Sequence, residues 1–285
     1  MEFSPRMKRN MLTAHAAAVG SMVLLKNVNQ ALPLRPAGSE PLPVAVFGTG
    51  QVRTVLACPD FSLYRGVSIL DGLTASPLVK PDPLLAHKYR AWALSHPTGE
   101  YPWRGLSMEE LAEENAAAIV VLSRDEDAYD PIVNNDELAM IEAVTRAFPR
   151  TVLILNTPGY MEVSQAAALC SAVVYMGIPG QEGGAALSEL LTGEAVFLGH
   201  LNQSWPRRRA DFIQANQVLD IYAGYRYFDT FGTELLYDFG YGLTYGAAEL
   251  AAVAVAVDGK DLVVSAQVVN TGDTWPVSQV VQVYV

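Results

Sequence analysis

The stretch Ala118-Ile-Val-Val-Leu-Ser123 is a short and almost continuous apolar run, and similar runs follow at residues 151–156 and 171–176. Short apolar runs that do not alternate with polar residues are typical of strands that are covered on both faces. Such strands occur mainly in parallel sheets. The three runs therefore predict a buried and mostly parallel β-sheet.

Helical patterns separate these strands. Ser107-Met-Glu-Glu110 has the spacing of a capping box before a helix expected at residues 111–117. A second helix places apolar residues on one face and stops at Pro149: Leu138, Ile141, Val144 and Phe148. Residues 181–191 repeat the pattern, and Gly193 is the expected C-cap. Alternating strands and helices predict the α/β class, with a doubly wound sheet between two helical layers.

The period of the apolar residues changes to two after about residue 246. Val253, Val255 and Val257 alternate with alanines, and further strands are expected at residues 262–269 and 278–285. Asp258-Gly259 is a hairpin signal, so an antiparallel all-β segment is predicted here. Only about 40 residues remain for a sandwich that needs ~100. We therefore expect residues 280–285 to have an unpaired edge, which favours aggregation.

The composition limits the classes of partner. A chain of 285 residues with 51% apolar content can bury a core for one to two domains. The net charge of −11 argues against nucleic acid and is compatible with neutral sugars. No segment reaches the ~18 uninterrupted apolar residues of a membrane span, so no membrane partner is expected.

Cysteines and histidines give no metal or disulfide signal. Cys58 and Cys170 are far apart, which favours two buried thiols in a reducing compartment. The four histidines are scattered and show no ligand spacing, which favours structural or surface roles. The basic start of the chain followed by the apolar residues 11–25 has some features of a signal peptide. Polar interruptions favour a structural N-terminal helix instead, and the expected location is cytoplasmic.

Two aromatic, glycine-punctuated stretches carry a family resemblance: Tyr222-Ala-Gly-Tyr-Arg-Tyr-Phe-Asp229 and Phe239-Gly-Tyr-Gly-Leu-Thr-Tyr245. They resemble the linker of family 3 glycoside hydrolases, GYRYFD followed by FGxGLSY. Other motifs of that family occur in matching order: Ser21-Met-Val-Leu-Leu-Lys-Asn27, Ala31-Leu-Pro-Leu34, Val44-Ala-Val-Phe-Gly48, Pro179-Gly-Gln-Glu-Gly-Gly184 and Val269-Asn-Thr-Gly272. The resemblance implies an α/β sandwich at residues 1–210, a linker at 211–246 and a partial fibronectin type III-like domain at 247–285.

The resemblance also implies an activity. Members of this kind hydrolyse terminal non-reducing β-D-glucosidic bonds with retention, without cofactor or metal, and their aspartate nucleophile lies in a (β/α)8 barrel of roughly 250 residues. No part of this chain resembles the barrel, so we expect a part of an enzyme whose partner is the missing barrel. A permuted order, with the barrel beyond Val285, fits an initiator Met1 shortly before the motif that begins at Ser21. The sequence leaves open whether copies of the chain form a homo-oligomer.

The candidate acid/base loop is Arg124-Asp-Glu-Asp-Ala-Tyr-Asp130. It follows a strand whose carboxyl end is the usual place for ligands in open α/β sheets. The family loop reads approximately SRxxGExxDR, and this loop is one residue shorter and lacks the glycine. Glu126 matches the acid/base by residue type, whereas counting back from Asp130 selects Asp127. Arg124 and Asp130 are the expected substrate-binding residues, and a solvated acidic loop without chemistry is the alternative.

Other interpretations remain open. The short acidic loop, and the absence of glycine from residues 52–65, also fit a non-catalytic carbohydrate-binding or scaffold remnant. Gly48-Thr-Gly50 weakly favours a nucleotide site, because the third glycine of GxGxxG is absent. The aromatic residues of the linker fit a sugar-stacking platform or a brace between domains, and the resemblance favours the brace.

Overall fold

The central feature of the computed structural model, which describes residues 3–57, 66–125, 130–217, 221–272 and 274–284, is a six-stranded sheet. Its strands are β1 (Val23–Asn27), β2 (Leu42–Phe47), β3 (Val79–Pro81), β4 (Ala117–Ser123), β5 (Thr151–Asn156) and β6 (Ala172–Tyr175). The spatial order is β1-β6-β5-β4-β2-β3. Every pair is parallel except the edge pair β1–β6. The predicted α/β class with a mostly parallel sheet is confirmed.

Helices cover both faces of this sheet. They are α1 (Pro5–Ser21), α2 (Ile69–Ala75), α3 (Pro83–Ser95), α4 (Met108–Glu114), α5 (Asn135–Ala147), α6 (Ser164–Leu169) and α7 (Gly183–Thr192). Helices α1, α2 and α7 share one core with alternate residues of β4, such as Ile119 and Val121. Helices α3, α5 and α6 share the other core with Val120 and Leu122. None of the described helices has the length and apolar content needed to span a membrane.

The helix ends follow local sequence signals. The Ser107 hydroxyl accepts a hydrogen bond from the Glu110 backbone N–H at 3.3 Å, as its spacing predicts. Helix α4 nevertheless stops at Glu114 rather than at residue 117, because Ala117 already belongs to β4. Gly193 ends α7 in the left-handed conformation, with a φ of 74°. The predicted glycine C-cap is confirmed.

Two glycines allow α2 and α7 to approach each other closely. A Cβ atom on Gly184 would lie 1.9 Å from the Ser68 carbonyl oxygen, and one on Gly72 would lie 2.0 Å from the Gly184 carbonyl oxygen. Real Cβ atoms do not approach backbone atoms this closely. The last glycine of the Pro179–Gly184 motif therefore serves helix packing.

The segment after α7 returns to the sandwich. It contains β7 (Trp205–Pro206), α8 (Arg209–Gln217), α9 (Tyr225–Phe231) and β8 (Leu235–Tyr237), with β7 and β8 paired antiparallel. The Tyr241 hydroxyl donates to the Leu25 carbonyl at 3.2 Å, and the Tyr245 hydroxyl donates to the Leu190 carbonyl at 2.7 Å. These contacts tie the second aromatic stretch to β1 and α7.

The last regular elements form a hairpin of β9 (Ala248–Asp258) and β10 (Asp261–Asn270). Gly259 is in the left-handed region, as the predicted turn requires. The expected third strand is wrong for residues 278–284, which have no strand assignment. They lie instead against the linker, where Gln282 Nε2 donates to the Phe239 carbonyl at 3.1 Å and the Tyr284 ring packs against that of Tyr225.

Candidate active site

A cleft of about 470 Å³ opens at the carboxyl ends of β2 and β4, where open α/β sheets place their ligands. We call it the acidic cleft. Its lining residues include Thr49, Gly50, Glu100, Ser123, Arg124, Asp125, Asp130 and Glu137. Four of these eight residues carry a carboxyl group. The cleft therefore brings carboxyl groups from three separate segments to the carboxyl ends of the strands.

The predicted acid/base residues, Glu126 and Asp127, lie outside the described residues. Their assignment therefore stays a prediction. The described neighbours Arg124, Asp125 and Asp130 all line the acidic cleft. Both ends of the acidic loop are thus held at the edge of the sheet where the sequence predicts a site.

Arg124 joins the two ends of that loop. Its Nη1 donates to the Ser123 carbonyl at 2.9 Å, its Nε to the Asp130 carbonyl at 3.1 Å, and its Nη2 to the Ile132 carbonyl at 2.9 Å. Nη2 also pairs with Glu137 Oε2 at 2.7 Å, and only 14% and 13% of the two side chains are exposed. This geometry gives Arg124 a positioning role. Substrate binding by Arg124 and Asp130 stays a prediction.

Glu137 anchors the far end of the loop at the start of α5. Its Oε2 accepts from the Asn134 backbone N–H at 3.0 Å, and Asn134 Oδ1 accepts from the Glu137 backbone N–H at 2.9 Å. This reciprocal pair is a complete capping box. The Asn134-x-x-Glu137 spacing is a sequence signal for this helix start that the predicted helix did not include.

Glu100 places a further carboxyl group in the acidic cleft. It accepts hydrogen bonds from the Thr49 backbone N–H at 2.8 Å, the Thr49 hydroxyl at 2.7 Å and the Tyr101 backbone N–H at 2.9 Å. Burial raises the pKa of this carboxyl, and the charge of Glu137 raises it further, against the lowering effect of the three donors. Local sequence contains no signal for this group, because its main partner is 51 residues away.

Asn156 organises the middle of the same edge. Its Oδ1 accepts from the Val55 backbone N–H at 2.7 Å and from the Ser123 hydroxyl at 3.0 Å. Its Nδ2 donates to the carbonyls of Val55 and Gly177, both at 2.8 Å. A fully buried amide with all four hydrogen bonds satisfied ties the end of β4 to the loops after β2 and β6.

The glycines after β2 have a packing explanation. A Cβ atom on Gly48 would lie 2.1 Å from the Val121 carbonyl oxygen, and one on Gly50 would lie 2.1 Å from Ser123 Oγ. Gly48 also has a φ of 92°. Close contact with β4 therefore requires both glycines, and the Gly48-Thr-Gly50 pattern gives no specific support to a nucleotide site.

Cysteines and metal-binding side chains do not form a site in the described part of the chain. Cys170 is buried with a free thiol, and burial raises its pKa to about 12. Cys58 lies outside the described residues. Across the described ranges, no group of three or more His, Cys, Asp and Glu side chains could hold a metal ion.

A comparison with sequence models of protein families shows to which family the chain belongs. Residues 22–245 match the sequence model of the glycosyl hydrolase family 3 C-terminal domain. The chain belongs to glycoside hydrolase family 3. The match includes both the strands that form the acidic cleft and the aromatic linker, and the resemblance read from the motifs is confirmed.

Curated relatives of this family 3 chain are considerably longer. It is 29% identical to the exo-α-(1→6)-L-arabinopyranosidase of Bifidobacterium longum, over 95% of this chain and 38% of that protein. It is 30% identical to the probable β-glucosidase L of Aspergillus fumigatus, over 91% of this chain and 38% of that protein. The chain thus spans about two-fifths of the length of these relatives.

Solved structures share its fold. β-Glucosidase 3B from Thermotoga neapolitana, in complex with α-D-glucose, superposes with a TM-score of 0.85 at 30% identity, over 94% of this chain and 43% of that one. A β-glucosidase from Paenibacillus barengoltzii gives a TM-score of 0.77 at 28% identity, over 91% of this chain and 32% of that one. The mostly parallel sheet of the family 3 C-terminal domain is therefore the fold of this chain.

Proposed function

We propose that this chain supplies the acid/base loop of a retaining β-glucosidase-like hydrolase whose aspartate nucleophile is carried by a (β/α)8 barrel. The observation that carries the proposal is the Arg124–Glu137 pair, which fixes both ends of an acidic loop at the carboxyl edge of a family 3 sheet. The β-glucosidase names of the relatives and solved structures support a terminal β-D-glucoside as the substrate.

The proposed chemistry needs a protonated carboxyl group about 5 Å from the nucleophile. Glu126 donates its proton to the leaving oxygen as the barrel aspartate attacks the sugar. It then accepts a proton from the water that releases the sugar with retained configuration. Asp127 is the alternative donor, although its side chain is one methylene shorter. Arg124 acts through the backbone of the loop, because a misplaced proton donor loses much of its effect.

The test is a hybrid enzyme. The barrel of Thermotoga neapolitana β-glucosidase 3B is joined to this chain, and the turnover of aryl β-glucosides is measured. Glu126→Gln should lower kcat/KM by about 10²- to 10⁴-fold for poor leaving groups, with a much smaller loss for a dinitrophenyl leaving group. Asp127→Asn is the matched control and should stay within about threefold of the parent hybrid.

Each other outcome has a defined meaning. If Asp127→Asn lost activity and Glu126→Gln did not, Asp127 would be the acid/base residue. A folded hybrid in which neither substitution changes kcat/KM would overturn the proposal in favour of a solvated acidic loop. The 285-residue chain by itself should show negligible turnover, because the proposed nucleophile is on the barrel.

A second candidate is a non-catalytic carbohydrate-binding remnant. The acidic loop, one residue shorter than the family pattern and without its glycine, favours this candidate. It requires saturable sugar binding by the chain together with a folded hybrid that has no turnover. The cytoplasmic location and the absence of a cofactor both stay predictions.

A further inference from the structure

A second cleft, of about 360 Å³, opens beyond the carboxyl ends of β5 and β6. We call it the aromatic cleft, and it is lined mainly by Tyr160, Tyr175, Asn202, Gln203 and Phe212. Adjacent strands are about 4.8 Å apart, so β6 lies about 10 Å from β4, which borders the acidic cleft. The two clefts therefore open along one edge of the sheet.

A rigid group of aromatic rings forms the aromatic cleft. The Tyr160 and Phe212 rings are stacked, with centroids 4.2 Å apart and planes at 13°. The Trp205 ring packs edge-on against Tyr160 at 5.7 Å and Tyr175 at 5.3 Å. Trp205 and Tyr160 are buried, whereas Tyr175 and Phe212 are half-buried. Those two half-buried rings present apolar surface to a ligand at a small entropic cost, because packing already fixes them.

The polar groups of the aromatic cleft suit hydroxyl groups. Each side-chain amide of Asn202 and Gln203 offers both donors and an acceptor. Both residues come from one loop after α7, so the amides lie side by side along the cleft.

The lack of charge on the described residues that line the aromatic cleft favours a neutral ligand. No described residue that lines the aromatic cleft carries a charged side chain. A phosphate or carboxylate ligand would therefore find no counter-charge among these described lining residues. Apolar ring faces next to uncharged amides match a neutral sugar, which has apolar C–H faces and a rim of hydroxyls. The volume is near the lower end of the range for small-molecule pockets, which suits one or two sugar rings.

We propose that the aromatic cleft is a carbohydrate subsite for a sugar ring beyond the bond that is cleaved. The sugar class rests on the proposed function, whereas the location rests on the rings and amides themselves. Because the aromatic cleft lies two strands away from the acidic cleft, it binds an outer ring of a β-linked saccharide. This subsite gives the chain a preference for saccharides over aryl glucosides of similar reactivity.

The experiment is a titration of the 285-residue chain with cellobiose by isothermal calorimetry. The double variant Asn202→Ala/Gln203→Ala should weaken binding by about tenfold, because it removes the amide hydrogen bonds and leaves the ring packing in place. Asn10→Ala removes an exposed amide on α1 and is the matched control. It should bind cellobiose as the parent chain does.

A second readout locates the bound sugar. Trp205 contacts two of the lining rings, so cellobiose should change the tryptophan fluorescence of the chain. That change should be lost in Trp205→Phe. It should be kept in Trp92→Phe, because the Trp92 ring stacks on His96 in another part of the fold. Thermal melting of every variant distinguishes weaker binding from unfolding.

The outcomes separate this subsite from the proposed function. A folded but inactive hybrid, together with cellobiose binding that depends on the Asn202 and Gln203 amides, supports the subsite and rejects the acid/base proposal. An active hybrid with no saturable binding of cellobiose rejects the subsite alone. Binding that is equally strong in the Asn202→Ala/Gln203→Ala variant would also overturn it.

Discussion

Strands β5 and β9 are both rich in branched apolar residues, and their environments are opposite. Every residue of β5 is buried, whereas nine of the eleven residues of β9 are exposed. Helices cover both faces of the six-stranded sheet. Among the described residues, β9 pairs with β10 alone, and the residues of β10 are all exposed. The comparison teaches that an apolar strand stabilises a fold only when a second layer covers it.

The largest difference in stability between a closely packed and an exposed position is expected for two glycine-to-alanine substitutions. In Gly184→Ala the new Cβ atom would lie 1.9 Å from the Ser68 carbonyl oxygen, so we expect a loss of about 3 kcal/mol in the free energy of unfolding. Gly20→Ala in α1 meets nothing within 4 Å and should stabilise the chain by about 0.5 kcal/mol. Urea denaturation of both variants measures the two effects.

The loss at Gly184 is expected to be large because the surrounding atoms belong to the backbone. The carbonyl oxygen of Val67 would lie 2.6 Å from the same Cβ atom, so the backbone of two consecutive residues would have to shift. A Gly184→Ala variant as stable as the parent chain would show that α2 and α7 can separate without cost. That result would contradict the close packing described for this region.

The same substitution, valine to alanine, should have different effects on stability in a buried strand and in an exposed strand. Val120→Ala in β4 removes two methyl groups from a fully buried site and should cost about 2 kcal/mol. Val255→Ala in β9 removes the same atoms from a side chain that is 64% exposed and should cost less than about 0.5 kcal/mol. Equal losses in urea denaturation would mean that another layer covers the hairpin in solution.

A smaller effect concerns pH and the acidic cleft. Burial raises the pKa of Glu100 above its ordinary value of 4.5, so the folded chain holds this proton more tightly than the unfolded chain. The stability that this proton contributes is present below pH 4.5 and is lost as the pH rises through the folded-state pKa. The parent chain should therefore lose stability relative to Glu100→Gln as the pH rises from about 4 to 8.

Denaturation at a series of pH values measures this difference. Glu114→Gln, on the exposed face of α4, is the matched control and should follow the pH profile of the parent chain. If Glu100→Gln and the parent chain had parallel profiles, burial would not perturb the Glu100 carboxyl.

The smallest effect on stability is expected on the hairpin surface. Val257→Lys places a charge where the valine is 75% exposed, so the free energy of unfolding should change by less than about 0.5 kcal/mol. Self-association should decrease, because exposed apolar strands favour edge-to-edge pairing. Sedimentation of both proteins over a range of concentrations measures this change, and an unchanged association constant would show that the hairpin is not the contact.

Local sequence patterns predicted three strands of the central sheet, three of its helices and the C-terminal hairpin. The bounds of β5 were predicted to the residue, and the hairpin turn at Asp258-Gly259 and the Gly193 cap were found from turn chemistry. The strand predicted at residues 278–285 is wrong for the described residues 278–284. Alternation of apolar residues indicates which face of a strand is buried, but it does not identify a neighbouring strand. Residues 278–284 pack against the linker, so they make no ladder with β10.

The sequence by itself determined the buried strands β4 and β5, the Gly193 helix cap, the hairpin turn and the family, because periodicity, capping residues and ordered motifs are local properties of the chain. Only the tertiary structure decided that Glu100 accepts hydrogen bonds from Thr49 and that Arg124 pairs with Glu137. It also decided that Asn156 joins the end of β4 to the loops after β2 and β6. These contacts depend on which strands are neighbours in the sheet. Strand order brings distant segments to one edge, and no local pattern specifies it.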